Sequence, residues 1–208
     1  DVERSRGLGD VYKRQSLFTG DAGSGPSEIR RYLIEQDMVE AIVQLPTDLF
    51  YNTGISTYIW LITKSKIAER SGKVQLIDTS KCFIKRRKNI GNKRVDLDSK
   101  CIDLIIKAYN SFDSDTYEED GLAVESKVYD NTYFGYTKLT VETAQIDEKG
   151  NKVLKKGKPV AAKGRTDNEI IPLEEDIDEY FKKNVLPYNE LAFVDRSKDK
   201  IGYEIPFT

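Results

Sequence analysis

The chain has 208 residues, of which 38% are hydrophobic and 33% charged, with a net charge of −2; this leaves room for one domain or a domain and a half, polar yet able to bury a core. It contains no histidine, which removes imidazole acid–base chemistry, His-based triads and His metal sites. The net charge argues neither for nor against a nucleic-acid partner, so only the distribution of charge can carry that argument. The two cysteines, Cys82 and Cys101, have no metal-ligand or redox spacing, which fits a reducing, cytoplasmic setting without a disulfide. No apolar run reaches the ~18–20 residues of a membrane span, and no signal peptide is visible.

In chain order, residues 1–15 are polar and unpatterned, and Asp10-Val-Tyr-Lys-Arg-Gln15 looks like translated adapter sequence. They are expected to be a non-native leader, with the natural chain beginning upstream of Ser16. Gly20-Asp-Ala-Gly-Ser-Gly25 is a glycine-rich loop before a helix; no Lys-Ser/Thr follows it, so a turn is the better reading than a phosphate cradle. Pro26 stands at the first helical position of a helix running to Gln36. Ile29, Leu33 and Ile34 are expected on its apolar face, with Tyr32 at the edge and Arg30 and Arg31 in solvent. Ala41–Leu45, closed by Pro46, and Thr57–Thr63 read as two buried strands. The roughly eleven-residue connection between them carries an aromatic pair, Phe50-Tyr51, and a turn, Asn52-Thr53-Gly54. Loops of that length inside a compact domain are usually functional or disordered.

Val74–Ile77 reads as another strand. The most basic stretch follows, with Lys81, Lys85, Arg86, Arg87, Lys88, Lys93 and Arg94 around a turn at Gly91-Asn92. A cationic loop of this kind contacts a nucleic-acid backbone, faces an acidic partner, or simply lies in solvent. Ser99–Phe112 is expected to be a helix capped by Ser99, with Ile102, Ile105, Ile106, Tyr109 and Phe112 on one face beside a buried Cys101. An acidic loop comes next (Asp113, Asp115, Glu118, Glu119, Asp120), then strands at Val124–Tyr129 and Tyr133–Val141 packed through Tyr133, Phe134 and Tyr136. Asp147–Lys152 is a turn opening a lysine- and glycine-rich loop or small hairpin that runs to Gly164, the expected internal linker. Pro172–Lys183 reads as an amphipathic helix with Ile177, Tyr180 and Phe181 inward. Phe193–Asp195 and Ile201–Thr208 read as short extended segments.

Several long blocks in order resemble the modification subunit of type I restriction–modification systems, within the adenine-specific DNA methyltransferase family. They are Leu17–Gly25, Ser27–Ile34, Leu45–Ile55 and Trp60–Lys64, with Phe134–Glu142 and Gly202–Thr208 further on. The resemblance implies an α/β fold: a partial Rossmann-like methyltransferase sheet, keeping its last helix and final antiparallel strand pair, at residues 16–79. A mixed α+β C-terminal extension at 80–208 would contact DNA or the specificity subunit. It also implies a parent enzyme that moves a methyl group from S-adenosylmethionine to the exocyclic amino group of adenine in DNA, in complex with specificity and restriction subunits. The family's cofactor loop and its Asn/Asp-Pro-Pro-Phe/Tyr motif do not occur in this sequence, which has no Pro-Pro dipeptide; the chain alone is therefore expected to be inactive, with no catalytic or cofactor-binding residue of its own. In this family an aromatic between the last two strands stacks on the flipped adenine, and Phe50 matches that position, flanked by Tyr51 and Asn52. The alternative for Phe50 is a ring folded back into the core. Lys85, Arg86, Arg87, Lys88, Lys93 and Arg94 are the matching candidates for the DNA backbone. A rival reading makes the whole region a non-catalytic assembly and DNA-backbone module.

Overall fold

A computed structural model describes residues 18–207. The expected leader at 1–15, the start of the first resembling block at Leu17, and Thr208 lie outside them. By contacts the described chain forms two compact units. One comprises Tyr32–Asn131 with Phe207, and the other residues 18–31 with 132–206. Helix α1, Gly25–Glu35, has residues in both.

The first unit is built on a run of short apolar segments. Val39–Leu45 is strand β1, and Thr57–Ile62 is β2. A 3-10 turn at Ala68–Arg70 leads to β3, Lys73–Lys81. Next come β4, Ile84–Ile90, and β5, Lys93–Asp96, then helix α2, Ser99–Ser111. The unit closes with β6, Asp115–Glu119, and β7, Leu122–Asp130. Five of these strands make one sheet in the order β2-β1-β3-β7-β6. β1 and β2 pair antiparallel, with Ala41 opposite Leu61, Val43 opposite Ile59 and Leu45 opposite Thr57. On its other side β1 pairs parallel with β3. The expected strand pair at a sheet edge is therefore present. β1 and β3 are central: β1, VEAIVQL, is mostly apolar, whereas β3, KVQLIDTSK, also buries Gln75 and Thr79, whose side chains are hydrogen-bonded. β2 is the edge strand and, against the expectation of a buried strand, none of its residues is fully buried; Ile59 and Ile62 are about half exposed.

The turn from α1 into β1 is held by one carboxylate. Asp37, in a left-handed backbone conformation, accepts from the Lys66 ammonium at 2.6 Å, the Gly72 amide at 3.0 Å and the Asn131 side-chain amide at 2.9 Å. It thereby ties the β2–β3 connection and the end of β7 to the start of β1. Two residues before Gly72, the guanidinium of Arg70 is buried between the rings of Tyr109 and Phe112 and donates to the Tyr109 carbonyl at 2.6 Å.

The structure corrects several expectations here. In α1 the buried positions are Ser27, Arg30 and Ile34, while Ile29 and Tyr32 are exposed. Arg30 is not a solvent residue, because its Nε donates to the Tyr203 carbonyl at 2.6 Å and Ser27 Oγ accepts from the Tyr203 amide at 3.0 Å. The cap of α2 is Asp98 rather than Ser99, its carboxylate accepting from the Cys101 amide at 2.9 Å. The buried stripe of α2 runs through Cys101, Leu104 and Ala108. Ile102 and Ile106 lie one step round, flanking an apolar hollow of about 310 Å³ that Val43, Leu45, Ile59 and Leu61 also line. The basic stretch is not a loop: β4 and β5 pair as an antiparallel two-stranded ribbon. The acidic stretch is likewise mostly strand, since β6 forms a hairpin with β7.

The second unit centres on β8, Gly135–Ala144, entered from a 3-10 turn at Asn131–Phe134. The lysine-rich segment forms a small hairpin of β9, Leu154–Lys155, and β10, Lys158–Pro159. The hairpin's turn is Lys156-Gly157, both left-handed, and the preceding turn is set by Asp147, whose carboxylate accepts from the amides of Lys149 and Asn151. The segment sits inside this unit rather than between units. The long strand β11, Ala161–Pro172, pairs with one edge of β8. On the other edge β12, Ala192–Val194, and β13, Lys200–Tyr203, pair end to end. The expected helix at 172–183 is shorter, because β11 extends through Pro172. It spans Ile177–Tyr180, capped by Asp176, and continues as a π turn over Phe181–Val185. Its inward residues, Ile177, Tyr180 and Phe181, do pack on the cluster of Leu139, Val141 and Ile171 as expected.

The pairing of β8 with β13 brings two distant sequence blocks together: Tyr136 lies opposite Gly202, and Gly135 opposite Tyr203. A Cβ at Gly202 would collide with the Tyr136 ring. The glycine is there to let the ring lie against the backbone.

Candidate nucleic-acid interface

The connection between β1 and β2 is an ordered platform. Pro46 ends β1 by withholding an amide. Asp48 then adopts a left-handed conformation, which turns the chain so that Leu49 drops into the core, at 7% exposure, and the next two side chains point away from it. Phe50 is 46% exposed and Tyr51 62%. Leu49, not Phe50, is the residue folded back beneath the loop, so the core-packing alternative for the Phe50 ring does not hold. A tight turn follows, with Asn52 left-handed and the Thr53 amide donating to the Phe50 carbonyl at 3.4 Å.

The ribbon braces this platform. The Asp48 carbonyl accepts from two consecutive β5 amides, Arg94 at 2.9 Å and Val95 at 3.4 Å. Val95 is buried with Leu45 and Leu49 in one cluster, so the ribbon's base is anchored by packing as well as by hydrogen bonds. At its tip, Gly91 lies so close to the Tyr51 ring that a Cβ there would stand 2.7 Å from Tyr51 Cε2. The fold therefore joins two groups that are far apart in sequence, Phe50–Asn52 and residues 85–94.

The cations of the ribbon divide into two sets. Arg86 and Lys93 converge on Asp96, the latter at 2.8 Å. Their hydrogen bonds and charge, led by Lys93, hold the Asp96 carboxyl below its usual value. Lys85, Arg87, Lys88 and Arg94 are exposed, and among the described residues none of them forms an ion pair. In the sequence all six look alike; the acceptor that separates them, Asp96, stands just past the last basic residue.

The glycine-rich loop Gly20–Gly25 does not fit a cofactor cradle, because it spends its polar groups on the chain itself. The Gly20 amide donates to the Glu204 carboxylate at 3.4 Å, the Gly20 carbonyl accepts from the Tyr136 hydroxyl at 3.4 Å, and Asp21 pairs with Lys138 at 2.6 Å. Among the described residues no group of three or more His, Cys, Asp and Glu is arranged to hold a metal ion, and no helix is long and apolar enough to cross a membrane. Cys82 and Cys101 are free and buried.

Comparison with known proteins gives a consistent picture. Residues 8–149 match the family described as "N-6 DNA Methylase". A type I restriction enzyme methylase subunit, MjaIX, from Methanocaldococcus jannaschii is 34% identical over 163 residues, which is 76% of this chain and 25% of that protein. The MpnII methylase subunit from Mycoplasma pneumoniae is 31% identical over 126 residues, 58% of this chain and 22% of that protein. The chain thus spans about a quarter of the length of these relatives. Among solved structures, a type I restriction–modification methyltransferase subunit from Streptococcus thermophilus shares 28% identity over 53% of this chain and 20% of its own, with a TM-score of 0.39.

Proposed function

The chain belongs to the N-6 DNA methylase family, and on that footing we propose that it is part of a type I modification subunit that methylates the exocyclic amino group of adenine in DNA. Within that subunit, the β1–β2 platform presents Phe50 to an adenine turned out of the duplex, with Tyr51 and Asn52 at the rim, while the exposed ribbon cations hold the phosphates. A base must leave the stack before its amino group can be reached, and an aromatic face holds it without regard to hydrogen-bond pattern. S-adenosylmethionine, when bound, supplies the methyl group. Its seat, and the motif that orients the amino group, are in this proposal supplied by the rest of the subunit. A complex with specificity and restriction subunits, and a cytoplasmic location, are part of the same proposal.

The observation that carries this reading is the exposed Phe50 ring on a platform whose next residue inward, Leu49, is buried and whose carbonyl at Asp48 is fixed by the cationic ribbon. The test is Phe50→Ala in the whole subunit with its specificity partner. Stacking worth about 1–3 kcal/mol, realised at the transition state, predicts a fall in methylation rate of about five- to a hundred-and-fifty-fold, with DNA affinity changed far less. Unchanged turnover would remove the stacking role. The rival, a backbone-binding module without a base-holding role, predicts that only neutralised ribbon cations matter.

A further inference from the structure

The platform and the ribbon also enclose a cavity of about 340 Å³ that the stacking role of Phe50 leaves unused. Its volume falls at the lower end of the ~300–1,000 Å³ range of small-ligand pockets. Its lining is mixed in a particular way. Phe83 and Val95 give one apolar side; Val95 is buried and Phe83 packs partly against the core, so this wall is fixed. Lys85, from β4, and Arg94, from β5, are both among its lining residues, and both are exposed and outside any ion pair among the described residues. The third cation, Arg86, is held by Asp96. Asn89, Thr47 and Asp48 complete the lining; the Asp48 carbonyl is already taken by the Arg94 and Val95 amides, and its side chain is a carboxylate.

A simple anion has no use for a ring and an apolar floor. An apolar ligand would not be served by two open cations. A phosphate joined to a flat heterocycle uses both: cations give charge-assisted hydrogen bonds to phosphate oxygens, an aromatic face receives a base, and polar side chains such as Asn89 and Thr47 suit base edges. We infer that this cavity seats one nucleotide of the DNA strand, its phosphate on Lys85 and Arg94 and its base against Phe83, beside the nucleotide whose base Phe50 receives. The inference rests on the reading that this platform faces DNA. It adds a second foothold, on an unmodified neighbour, that ties the extruded position to the ribbon. The Asp48 carbonyl, clasped by the Arg94 and Val95 amides, fixes the distance between the two seats.

The test titrates the 208-residue chain with deoxyadenosine 5′-monophosphate, deoxyadenosine and inorganic phosphate, following the backbone amide signals of Asn89 and Val95 by NMR. The nucleotide should move both signals and saturate. Deoxyadenosine and phosphate alone should each bind at least about tenfold more weakly, since each keeps only part of the interactions. Lys85→Gln and Arg94→Gln, at exposed positions that leave the fold intact, should each weaken the nucleotide about five- to tenfold. Phe50→Ala should leave the titration unchanged. Signals that stay in place up to about 10 mM nucleotide, equal affinity for nucleotide and phosphate, or indifference to both Gln variants would each overturn the inference. If Phe50→Ala abolishes the shifts, the ligand sits on the platform; the second seat is then refuted while the stacking role stands. If the titration behaves as expected but Phe50→Ala leaves methylation by the whole subunit intact, the cavity stands and the stacking role falls.

Discussion

Gly91→Ala tests whether the ribbon tip and the platform are one rigid piece. Gly91 has φ +58°, and a Cβ there would stand 2.7 Å from Tyr51 Cε2 and 3.1 Å from Cδ2. The left-handed backbone alone costs an alanine about 1–2 kcal/mol. The ring must also retreat by roughly 0.8 Å to reach an ordinary ~3.5 Å separation. Tyr51 is 62% exposed, so the ring can swing into solvent, and that part costs only the dispersion energy of one ring edge, about a few tenths of a kcal/mol. The sum is about 1–2 kcal/mol, which for a cooperative unit of about 100 residues lowers Tm by roughly 5–10 °C. Thermal unfolding followed by circular dichroism measures it. Gly91→Asn, which tolerates the left-handed region, should lose less than half as much. In a Tyr51→Ala background the steric part should vanish, leaving a coupling of a few tenths of a kcal/mol in the double-mutant cycle. A Gly91→Ala protein melting within about 1 °C of the parent would show that the tip is not held in this conformation and that the platform lacks this support.

Three further outcomes are expected. Replacing Arg87 and Lys88 by Gln in the whole subunit should reduce the slope of log affinity against log salt by up to about two, one for each phosphate no longer neutralised; an unaltered slope would assign the ribbon to another partner. Burial pushes the Asp37 carboxyl up, but the hydrogen bonds from Lys66, Gly72 and Asn131 outweigh it and hold the group below its usual 3.8. Because the folded value is depressed, the stability it confers is present above the unfolded pKa and lost as pH falls from about 4 through the folded value. The stability gap between the parent and Asp37→Asn should therefore narrow below about pH 4 in denaturant titrations, and a gap equal at pH 3 and pH 7 would contradict the role given to Asp37. Burial pushes the Cys82 thiol up to about 12, so it should resist iodoacetamide at neutral pH until the chain unfolds; rapid native-state alkylation would mean that this side of the core is open.

The strand pair is legible in the sequence because it has a local cause, whereas the sequence leaves the Phe50 ring open between stacking outward and folding into the core. Pro46 and Gly54 bracket the loop, and the short, β-branched apolar runs on either side suit strands. What escapes a reading of the sequence is set by distant partners. Arg30 is buried because the backbone of Tyr203, 173 residues on, offers it a carbonyl, and no periodicity in α1 announces that. The buried stripe of α2 lies one step from the expected one because Ile102 and Ile106 are more apolar by type than Ala108, yet Ala108 is the residue small enough to lie against the sheet. There its carbonyl accepts from the Gln75 amide at 2.8 Å. The basic stretch reads as a loop because charge masks strand character; only the pairing of Lys85 with Val95 makes it a ribbon. The resemblance to one family reaches further than periodicity does, because it compares long blocks whose members meet across the sheet, as Tyr136 and Gly202 do.

The order of the five-stranded sheet bears on how the chain is made. β3 finds β1 soon after it leaves the ribosome, but its other edge waits for β7, and about fifty residues separate Lys81 from Asp130. At ~5–20 residues per second, that edge stands unpaired for roughly 2–10 s of synthesis. The segment made in that interval is dense in lysine and arginine, and like charges oppose the joining of two such nascent chains.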